Sequence, residues 1–223
     1  MARATMAGAT TAAATTAGTT TVGLLLAGGQ SRRMGGGDKS LRLLAGTTLL
    51  ERVVLRLAPQ VDALVLNANG DPTRFARFGL AVVADSIPGF AGPLAGVLAG
   101  LDWAALHHPD CAYVVSVATD APFLPMTLAA RLAEAREAAG ADLACAASGG
   151  RSHPVFGLWP VRLREDLRRA VVVEGVRKVD QWTGRHQLVT VPFADQPVDP
   201  FFNTNRPEDL AAAVKLLETA ASV

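Results

Sequence analysis

Short apolar runs alternate with stretches of helical periodicity along most of the chain. Val22–Ala27, Asp62–Asn67 and Ala112–Ala118 are short and mainly aliphatic, which is typical of strands buried on both faces of a sheet. Leu49–Leu57 and Pro93–Leu101 instead repeat aliphatic residues every three or four positions, which predicts amphipathic helices. Because strands alternate with helices, the pattern predicts βαβ units, a mostly parallel sheet and the α/β fold class.

Local signals mark the ends of several other elements. Thr48-Leu-Leu-Glu51 matches a capping box, which predicts a helix beginning just after Thr48. A short helix is predicted over Asp71–Phe78. Asp142–Ala147 and Pro154–Trp159 predict two strands separated by a polar loop, and Pro207–Ala221 predicts a closing amphipathic helix.

The first 21 residues differ from the rest of the chain. They are mostly Ala and Thr, with Arg3 as their one charge, and they contain no continuous apolar block of the kind that a secretory signal requires. We therefore expect residues 1–21 to form a disordered extension. The chain has 223 residues and is 50% hydrophobic, which suits a single domain over residues 22–223.

Charge and cysteine content exclude several classes of function. The net charge is +1, from 21 basic and 20 acidic side chains, which argues against nucleic acid or an anionic membrane surface as partner. The apolar stretches are shorter than the ~20 residues that span a bilayer. Cys111 and Cys145 are too few for a disulfide framework or a four-thiolate zinc site, so we expect a reducing, cytoplasmic setting.

Candidate chemistry is concentrated just after the predicted strands. Gly28–Lys39, Asn67, Asp85 and Asp120 each follow one. The carboxyl ends of parallel strands meet at one edge of the sheet, where ligands of such folds bind. The fold alone would therefore bring these four positions to one rim.

The segment after the first strand is the richest of them. Gly28 and Gly29 allow a sharp turn with free N–H groups, and Arg32, Arg33 and Lys39 add three cations. Free amides and cations together favour phosphate, although a glycine-rich loop can also be a plain connection. The segment is not a P-loop, which requires Gly directly before the Lys, and it does not match the dinucleotide fingerprint G-x-G-x-x-G.

The segment Leu26–Lys39, L-A-G-G-Q-S-R-R-M-G-G-G-D-K, resembles the signature of molybdenum cofactor guanylyltransferases, within the wider nucleotidyltransferase family. Further stretches follow in the family's order: Asn67–Asn69, Asp85, Gly92–Gly96, Thr119–Pro125, Arg151–Pro154 and Phe202–Leu210. The resemblance covers residues 22–220. It implies a Rossmann-like three-layer αβα sandwich of the nucleotide-diphospho-sugar transferase type. It also implies transfer of GMP from GTP to molybdenum-molybdopterin, with release of pyrophosphate.

The resemblance further implies roles for individual residues on the nucleotide. Lys39 would bind the phosphates and take part in catalysis, while Asn67 and Asp85 would lie in the guanosine-binding region. The first strand and its loop would contact the nucleotide through the backbone and by close approach, at Leu26, Ala27, Gly28, Gly29 and Arg33.

Metal and pterin contacts are implied in the same way. Asp120 would bind the nucleotide together with Mg²⁺, the expected cofactor, and take part in catalysis. Asn203, Asn205 and His153 would approach the pterin substrate, and Asn205 could also assist the metal. Arg206 stands where the family usually has Thr. From the residues alone, Asp120 could instead cap a helix, and His153 could be structural.

Competing functions remain open at this point. Cytidylyltransferases of the same cofactor typically have L-A-A-G where this chain has L-A-G-G, and the missing methyl group at Gly28 favours the larger purine. Other nucleotidyltransferases, and a non-catalytic carrier that hands the cofactor to another protein, are further alternatives. The resemblance implies molybdoenzyme apoproteins or cofactor-insertion chaperones as partners.

Overall fold

The computed structural model describes residues 20–27, 38–87 and 92–221, and a seven-stranded sheet forms its centre. The strands are β1 (Thr20–Leu26), β2 (Leu43–Leu44), β3 (Thr47–Thr48), β4 (Ala63–Asn67), β5 (Ala81–Val83), β6 (Cys111–Ala118), β7 (Leu143–Ser148), β8 (Arg151–Pro160) and β9 (Leu188–Pro192). The order of strands in the seven-stranded sheet is β5-β4-β1-β6-β8-β7-β9. All neighbours are parallel except the two pairs that β8 makes with β6 and β7. The predicted α/β class and mostly parallel sheet are confirmed.

Helices cover both faces of this sheet. The α-helices are α1 (Leu49–Leu57), α2 (Pro93–His107), α3 (Leu128–Ala139), α4 (Arg164–Val172), α5 (Val179–Thr183) and α6 (Pro207–Ala221). Buried side chains of α2, α4 and α5 form one core with the sheet, and those of α1 and α3 form another. The three-layer αβα sandwich is thus confirmed. Short 3₁₀ helices lie at Lys39–Leu41, Ala58–Gln60, Pro72–Phe78 and Val161–Leu163.

Several local predictions match the structure closely. The Thr48 hydroxyl accepts a hydrogen bond from the Glu51 N–H at 3.3 Å and caps α1 as the capping box predicts. The closing helix α6 has the predicted bounds. The short helix predicted over Asp71–Phe78 is a 3₁₀ helix that begins one residue later, at Pro72.

The first strand begins earlier than predicted. It starts at Thr20, not Val22, because Thr20 pairs with Cys111 on β6 and the Thr21 N–H donates to Asp62 Oδ2 at 2.8 Å. Backbone pairing therefore extends the strand into the Ala/Thr-rich segment. Residues 1–19 of the predicted extension lie outside the described residues.

The connection between β7 and β8 is shorter than the predicted polar loop. The strands continue to Ser148 and from Arg151, and only Gly149 and Gly150 turn, with φ of +54° and +74°. Glycine adopts this left-handed conformation without the steric cost of a side chain. Polarity predicted a loop because Ser148 is polar, but its buried hydroxyl is hydrogen-bonded inside the protein.

Two further features complete the fold. The two-residue strands β2 and β3 form an antiparallel ribbon that the sequence did not predict, and α6 contacts it where Ala213 meets Leu44. Over the ranges that the structure describes, no helix has the length and apolar character to cross a membrane. Cys111 and Cys145 are both buried free thiols.

Candidate functional site

Three side chains from distant parts of the sequence meet around the Lys39 ammonium. Lys39 opens the 3₁₀ helix Lys39–Leu41, and its Nζ is ion-paired with Asp120 Oδ2 and lies 2.5 Å from Asn205 Oδ1. The Lys39 and Asp120 side chains are 16% and 20% exposed, so this ion pair is partly buried but still accessible. The expected meeting of Lys39 and Asp120 at one edge of the sheet is confirmed.

Asp120 is positioned by the end of β6 and by the chain that precedes α6. The Thr119 N–H and hydroxyl both donate to the Leu26 carbonyl, each at 3.2 Å, and tie the loop after β6 to the end of β1. From the other side, the Thr204 N–H and hydroxyl donate to the Asp120 carbonyl at 3.0 and 3.1 Å. The bonds from Thr204 thus end on the Asp120 backbone and not on its carboxylate.

The two asparagines near α6 lie on either side of a buried threonine. Thr204 is fully buried, while Asn203 and Asn205 are exposed. Asp209, in the first turn of α6, accepts hydrogen bonds from the N–H groups of Asn205 and Arg206, both at 2.8 Å. The segment is thus fixed at the helix N-terminus, and Arg206 contributes its backbone N–H to that cap.

The second oxygen of the Asp120 carboxylate has an unmet bonding requirement. Oδ1 is buried and finds no hydrogen-bond partner among the described residues, whereas Oδ2 faces Lys39. An unpaired buried acceptor costs about 1–3 kcal/mol, so an additional partner at Oδ1 would be favourable. Mg²⁺ is usually held in proteins by one or two carboxylates together with substrate phosphates and water. Asp120 and the Asn205 amide oxygen fit such an oxygen-rich donor set.

No larger metal-binding cluster accompanies it within residues 20–27, 38–87 and 92–221. Among them, no three His, Cys, Asp or Glu side chains converge in a way that could hold a metal ion. A cation at Asp120 would therefore take its remaining ligands from a substrate and from water.

Farther along the same rim, two asparagines hold the Asp85 carboxylate in place. Asn67 Nδ2 donates to Asp85 Oδ1 at 3.0 Å, and Asn69 Nδ2 donates to Asp85 Oδ2 at 2.8 Å. The Asn69 amide oxygen also accepts from the Asp85 N–H at 2.9 Å. Both carboxylate oxygens are thus engaged by side-chain amides at the end of β4 and just beyond it.

Close approach of α2 fixes the Asn67 side chain. A Cβ at Gly96 would lie 2.4 Å from Asn67 Oδ1 and 2.7 Å from Leu26 Cδ2, distances that real Cβ contacts do not reach. Glycine at this position lets the first turn of α2 lie directly against the ends of β1 and β4. The conformation of Asn67, and through it that of Asp85, therefore depends on Gly96.

The end of β1 offers fewer backbone groups to a ligand than the resemblance suggested. The Ala27 N–H donates to the Asn67 carbonyl at 2.9 Å, and the Leu26 carbonyl accepts from Thr119. Both groups are engaged within the protein, so Leu26 and Ala27 can line the site only with their remaining atoms. Gly28, Gly29 and Arg33 lie outside the described residues.

His153 lies in a separate polar network on β8. Its Nε2 is 2.8 Å from the Ser148 hydroxyl, which donates to Asp199 Oδ1 at 2.8 Å, and the same oxygen accepts from the Phe201 N–H. The serine lies between the histidine and the carboxylate, so the imidazole does not link the other two as it does in a nucleophilic triad. The network instead holds the segment that leads to Asn203.

This network leads to a prediction about pH. Burial lowers the pKa of His153, and the Arg151 charge acts in the same direction, while Asp199 opposes them. The unfolded chain therefore binds the proton at higher pH than the folded chain. Stability that is full above the unfolded pKa, about 6.5, is lost as the pH falls through the window down to the lower folded pKa.

Urea unfolding of the wild type and of His153→Gln at pH 7.5 and 5.5 would measure this effect. We expect the variant to lose less stability than the wild type over that range. His107→Gln, which replaces an exposed histidine on α2, serves as the control and should behave as the wild type does. An equal loss in the wild type and His153→Gln would contradict the prediction.

The sequence analysis assigned no site role to two residues that position this site. Thr204 carries the contact with Asp120, and Asn69 clamps Asp85. A signal was present in both cases, since Thr204 lies between two predicted site asparagines and Asn69 is two residues from Asn67. Chain proximity did not indicate which atoms they would bind.

Several known proteins are similar to this chain over most of its length. Residues 23–189 match the model of the MobA-like NTP transferase domain family. A relative from Bradyrhizobium sp. strain ORS 278 named molybdenum cofactor guanylyltransferase is 63% identical, over 86% of this chain and 91% of its own. A relative of the same name from Rhodopseudomonas palustris strain BisB5 is 58% identical, over 86% of this chain and 92% of its own.

Among solved structures, one similar chain is molybdopterin-guanine dinucleotide biosynthesis protein A from Archaeoglobus fulgidus. It is 25% identical, with a TM-score of 0.71 over 89% of this chain and 99% of that one. The family model spans most of the described sheet, and the relatives are matched over most of their length. On this evidence, together with the shared fold, the chain belongs to the MobA-like NTP transferase family.

Proposed function

We infer that this protein is a nucleotidyltransferase that transfers GMP from GTP to molybdenum-molybdopterin and releases pyrophosphate. The product is the guanine dinucleotide form of the molybdenum cofactor. The inference draws on the two relatives named molybdenum cofactor guanylyltransferase, which are 63% and 58% identical to this chain. The observation that carries it is the meeting of Lys39, Asp120 and Asn205 at the carboxyl edge of the sheet.

The reaction requires positioning and charge neutralisation above all. A phosphate oxygen of molybdopterin attacks the α-phosphorus of GTP, a new P–O bond forms, and the bond to pyrophosphate breaks. The attacking phosphate is already ionised near neutral pH, so no general base is needed. Negative charge accumulates on the reacting phosphorus and the leaving group, and fixed cations and donors stabilise it.

Lys39 supplies the cation in this arrangement. Its ion pair with Asp120 holds the ammonium group at the rim, where the group can contact the triphosphate when the nucleotide binds. Gly28, Gly29 and Arg33 are proposed to add backbone N–H groups and a further charge to the same phosphates. Leu26 and Ala27 would form the adjoining wall of the nucleotide site.

Asp120 is proposed as the protein ligand of a divalent cation, Mg²⁺ in our proposal. The buried Oδ1 of Asp120, which is unpaired among the described residues, supports this role. Asn205 Oδ1, which accepts from Lys39 in the free protein, is a second oxygen at the same place. When bound, Mg²⁺ would neutralise charge on the triphosphate. Asp120 contributes the carboxylate, and Lys39 holds that carboxylate in place.

Asn67 and Asp85 are proposed to form the guanosine end of the site. Asp85 is fixed by two side-chain amides, so its carboxylate is held in one orientation before nucleotide binds. A preorganised acceptor suits the N–H groups on the Watson–Crick edge of guanine, which cytosine does not present in the same pattern. This chemistry favours GTP over CTP.

The pterin substrate is proposed to bind beside Asn203 and Asn205, which are exposed at the N-terminus of α6. His153 is proposed to adjoin it, through the network that holds the preceding segment. We place the protein in the cytoplasm, where molybdoenzyme apoproteins or insertion chaperones would receive the product. The balanced net charge of +1 favours neither nucleic acid nor membrane as a partner.

The experiment that tests this function compares nucleotides directly. Purified protein is incubated with Mg²⁺, molybdenum-loaded molybdopterin and either GTP or CTP, and dinucleotide product and pyrophosphate are quantified. We expect product with GTP and at least about tenfold less with CTP, because loss of the base-edge contacts costs about 1.4 kcal/mol or more.

The same incubation without molybdopterin is the control, and it should release no pyrophosphate. Product from CTP but not GTP would contradict the guanylyl assignment and favour the cytidylyl alternative. Tight nucleotide binding without pyrophosphate release under any condition would favour a non-catalytic carrier.

A further inference from the structure

Arg74 lies between the two ends of the proposed nucleotide site, in the 3₁₀ helix Pro72–Phe78. Its Nη2 donates to the Asn69 carbonyl, and its Nη1 donates to the Asp71 carbonyl at 2.8 Å. Its Nε forms an ion pair with Asp38. That nitrogen is buried and makes no hydrogen bond within the part of the chain that the structure describes, so the contact with Asp38 is one of charge.

Two of these contacts, those with Asp38 and Asn69, are one step from a proposed site residue. Asp38 directly precedes Lys39, which would bind the phosphates. Asn69 donates to and accepts from Asp85, at the guanosine end. The guanidinium group therefore joins the segment around Asp38 to the segment around Asn69. These segments are separated in the sequence, and the phosphate and base ends of the nucleotide are proposed to bind beside them.

The surroundings of Arg74 restrict its movement. The guanidinium carbon lies 4.7 Å from the centre of the fully buried Phe75 ring, a cation–π distance. Gly70, at φ +86°, would place a Cβ 3.0 Å from Nη1, so glycine there leaves room for the guanidinium. A guanidinium group spreads its donors along a rigid plane and can reach two carbonyl groups and a carboxylate on different sides, whereas a lysine ammonium group places all its donors on a single nitrogen.

We propose that Arg74 is a positioning residue that sets the separation between Lys39 and Asp85, and thereby holds the phosphate and base ends of the site in register. This role rests on the proposed function. Arg74 acts through Asp38 and Asn69. Such a role matters because a misplacement of about 1 Å in the bound substrate can reduce turnover about 10²-fold.

The chain provides a closely matched control in Arg77. Arg77 lies on the same 3₁₀ helix, its guanidinium carbon is also 4.7 Å from a neighbouring ring, that of Phe78, and its Nη2 donates to Thr48 Oγ1 at 3.2 Å. Arg77→Ala removes the same charge from the same helix. Its contacts with Thr48 and Phe78 reach neither end of the proposed nucleotide site.

The first measurement is hydrogen exchange on the full chain without ligand. The Leu41 and Arg42 amides donate to the Asp38 and Lys39 carbonyls and report on the phosphate end. The Asp85 amide reports on the base end. We expect faster exchange at both ends in Arg74→Ala, an intermediate effect in Arg74→Lys, and no change at either end in Arg77→Ala.

The second measurement is kinetic. Arg74→Ala is expected to lower kcat/KM for GTP by about 10- to 100-fold, with partial rescue in Arg74→Lys, while Arg77→Ala stays within about threefold of the wild type. Asp38→Asn in the Arg74→Ala background should add little to the loss in kcat/KM, because both changes remove the same contact between Arg74 and Asp38.

The outcomes separate this inference from the function on which it rests. Exchange that changes at one end only or at neither, or kinetic losses that simply multiply in the Arg74/Asp38 double variant, would overturn the positioning role. A wild type that releases no pyrophosphate from GTP would overturn the proposed function instead. The exchange comparison would still decide whether Arg74 joins the two segments.

Discussion

Replacing Asp120 by Asn is expected to reduce GMP transfer by about 10³-fold or more, since a divalent cation on a reacting phosphate supplies several kcal/mol and about 4 kcal/mol corresponds to 10³ in rate. The variant keeps the size of the side chain. It also keeps the bonds from Thr204, which end on the Asp120 carbonyl and not on the carboxylate. We therefore expect the fold and the thermal midpoint to be nearly unchanged.

Turnover measured against Mg²⁺ concentration checks this prediction. Asp120→Asn should need more Mg²⁺ for its residual activity than the wild type does. Asp102→Asn is the matched control: like Asp120, this carboxylate is ion-paired with a basic side chain, here Arg168 at 2.5 Å, but it lies late in α2, toward the opposite edge of the sheet. Wild-type turnover in Asp120→Asn would refute its role as metal ligand.

Replacing Lys39 by Met is expected to lower kcat by about 10²- to 10³-fold, the usual cost of removing one donor from a developing oxyanion. The methionine keeps most of the aliphatic stem but takes the charge away from the phosphates. It also leaves Asp120 Oδ2 without its cation, so the two carboxylate oxygens would both be unpaired in the free protein.

Steady-state kinetics with GTP and a nucleotide-binding titration distinguish a loss of transition-state stabilisation from a loss of ground-state binding. We expect the decrease in kcat to exceed any increase in KM, because charge accumulates mainly in the transition state. Lys215→Met is the control, since Lys215 lies eight residues into α6 and about 12 Å along that helix from its N-terminus. A Lys39→Met protein with normal kcat and raised KM would assign Lys39 to ground-state binding alone.

These two substitutions test residues that the sequence proposed and the fold brought together. Lys39 and Asp120 are 81 positions apart, and each follows a strand that periodicity had predicted. Since β1 and β6 are parallel neighbours, their carboxyl ends lie side by side, and Lys39 and Asp120 meet there. The juxtaposition was therefore expected from the predicted strands and their parallel direction.

Prediction was less successful where the outcome depended on hydrogen bonds between segments. The extension of β1 to Thr20 depends on Cys111 and Asp62, and neither is a local signal. The turn at Gly149–Gly150 was predicted as a longer loop because Ser148 is polar. Its burial depends on Asp199, 51 residues away.

The sequence by itself determined the layer architecture, most element boundaries and the residue types at the strand ends, because periodicity, caps and turn residues act over a few positions. Tertiary structure alone decided which atoms of those residues meet. The unpaired Asp120 oxygen, the amide clamp on Asp85 and the Arg74 contact between Asn69 and Asp38 are examples. Each is fixed by packing between segments far apart in the chain, where an error of one ångström separates a hydrogen bond from no bond at all.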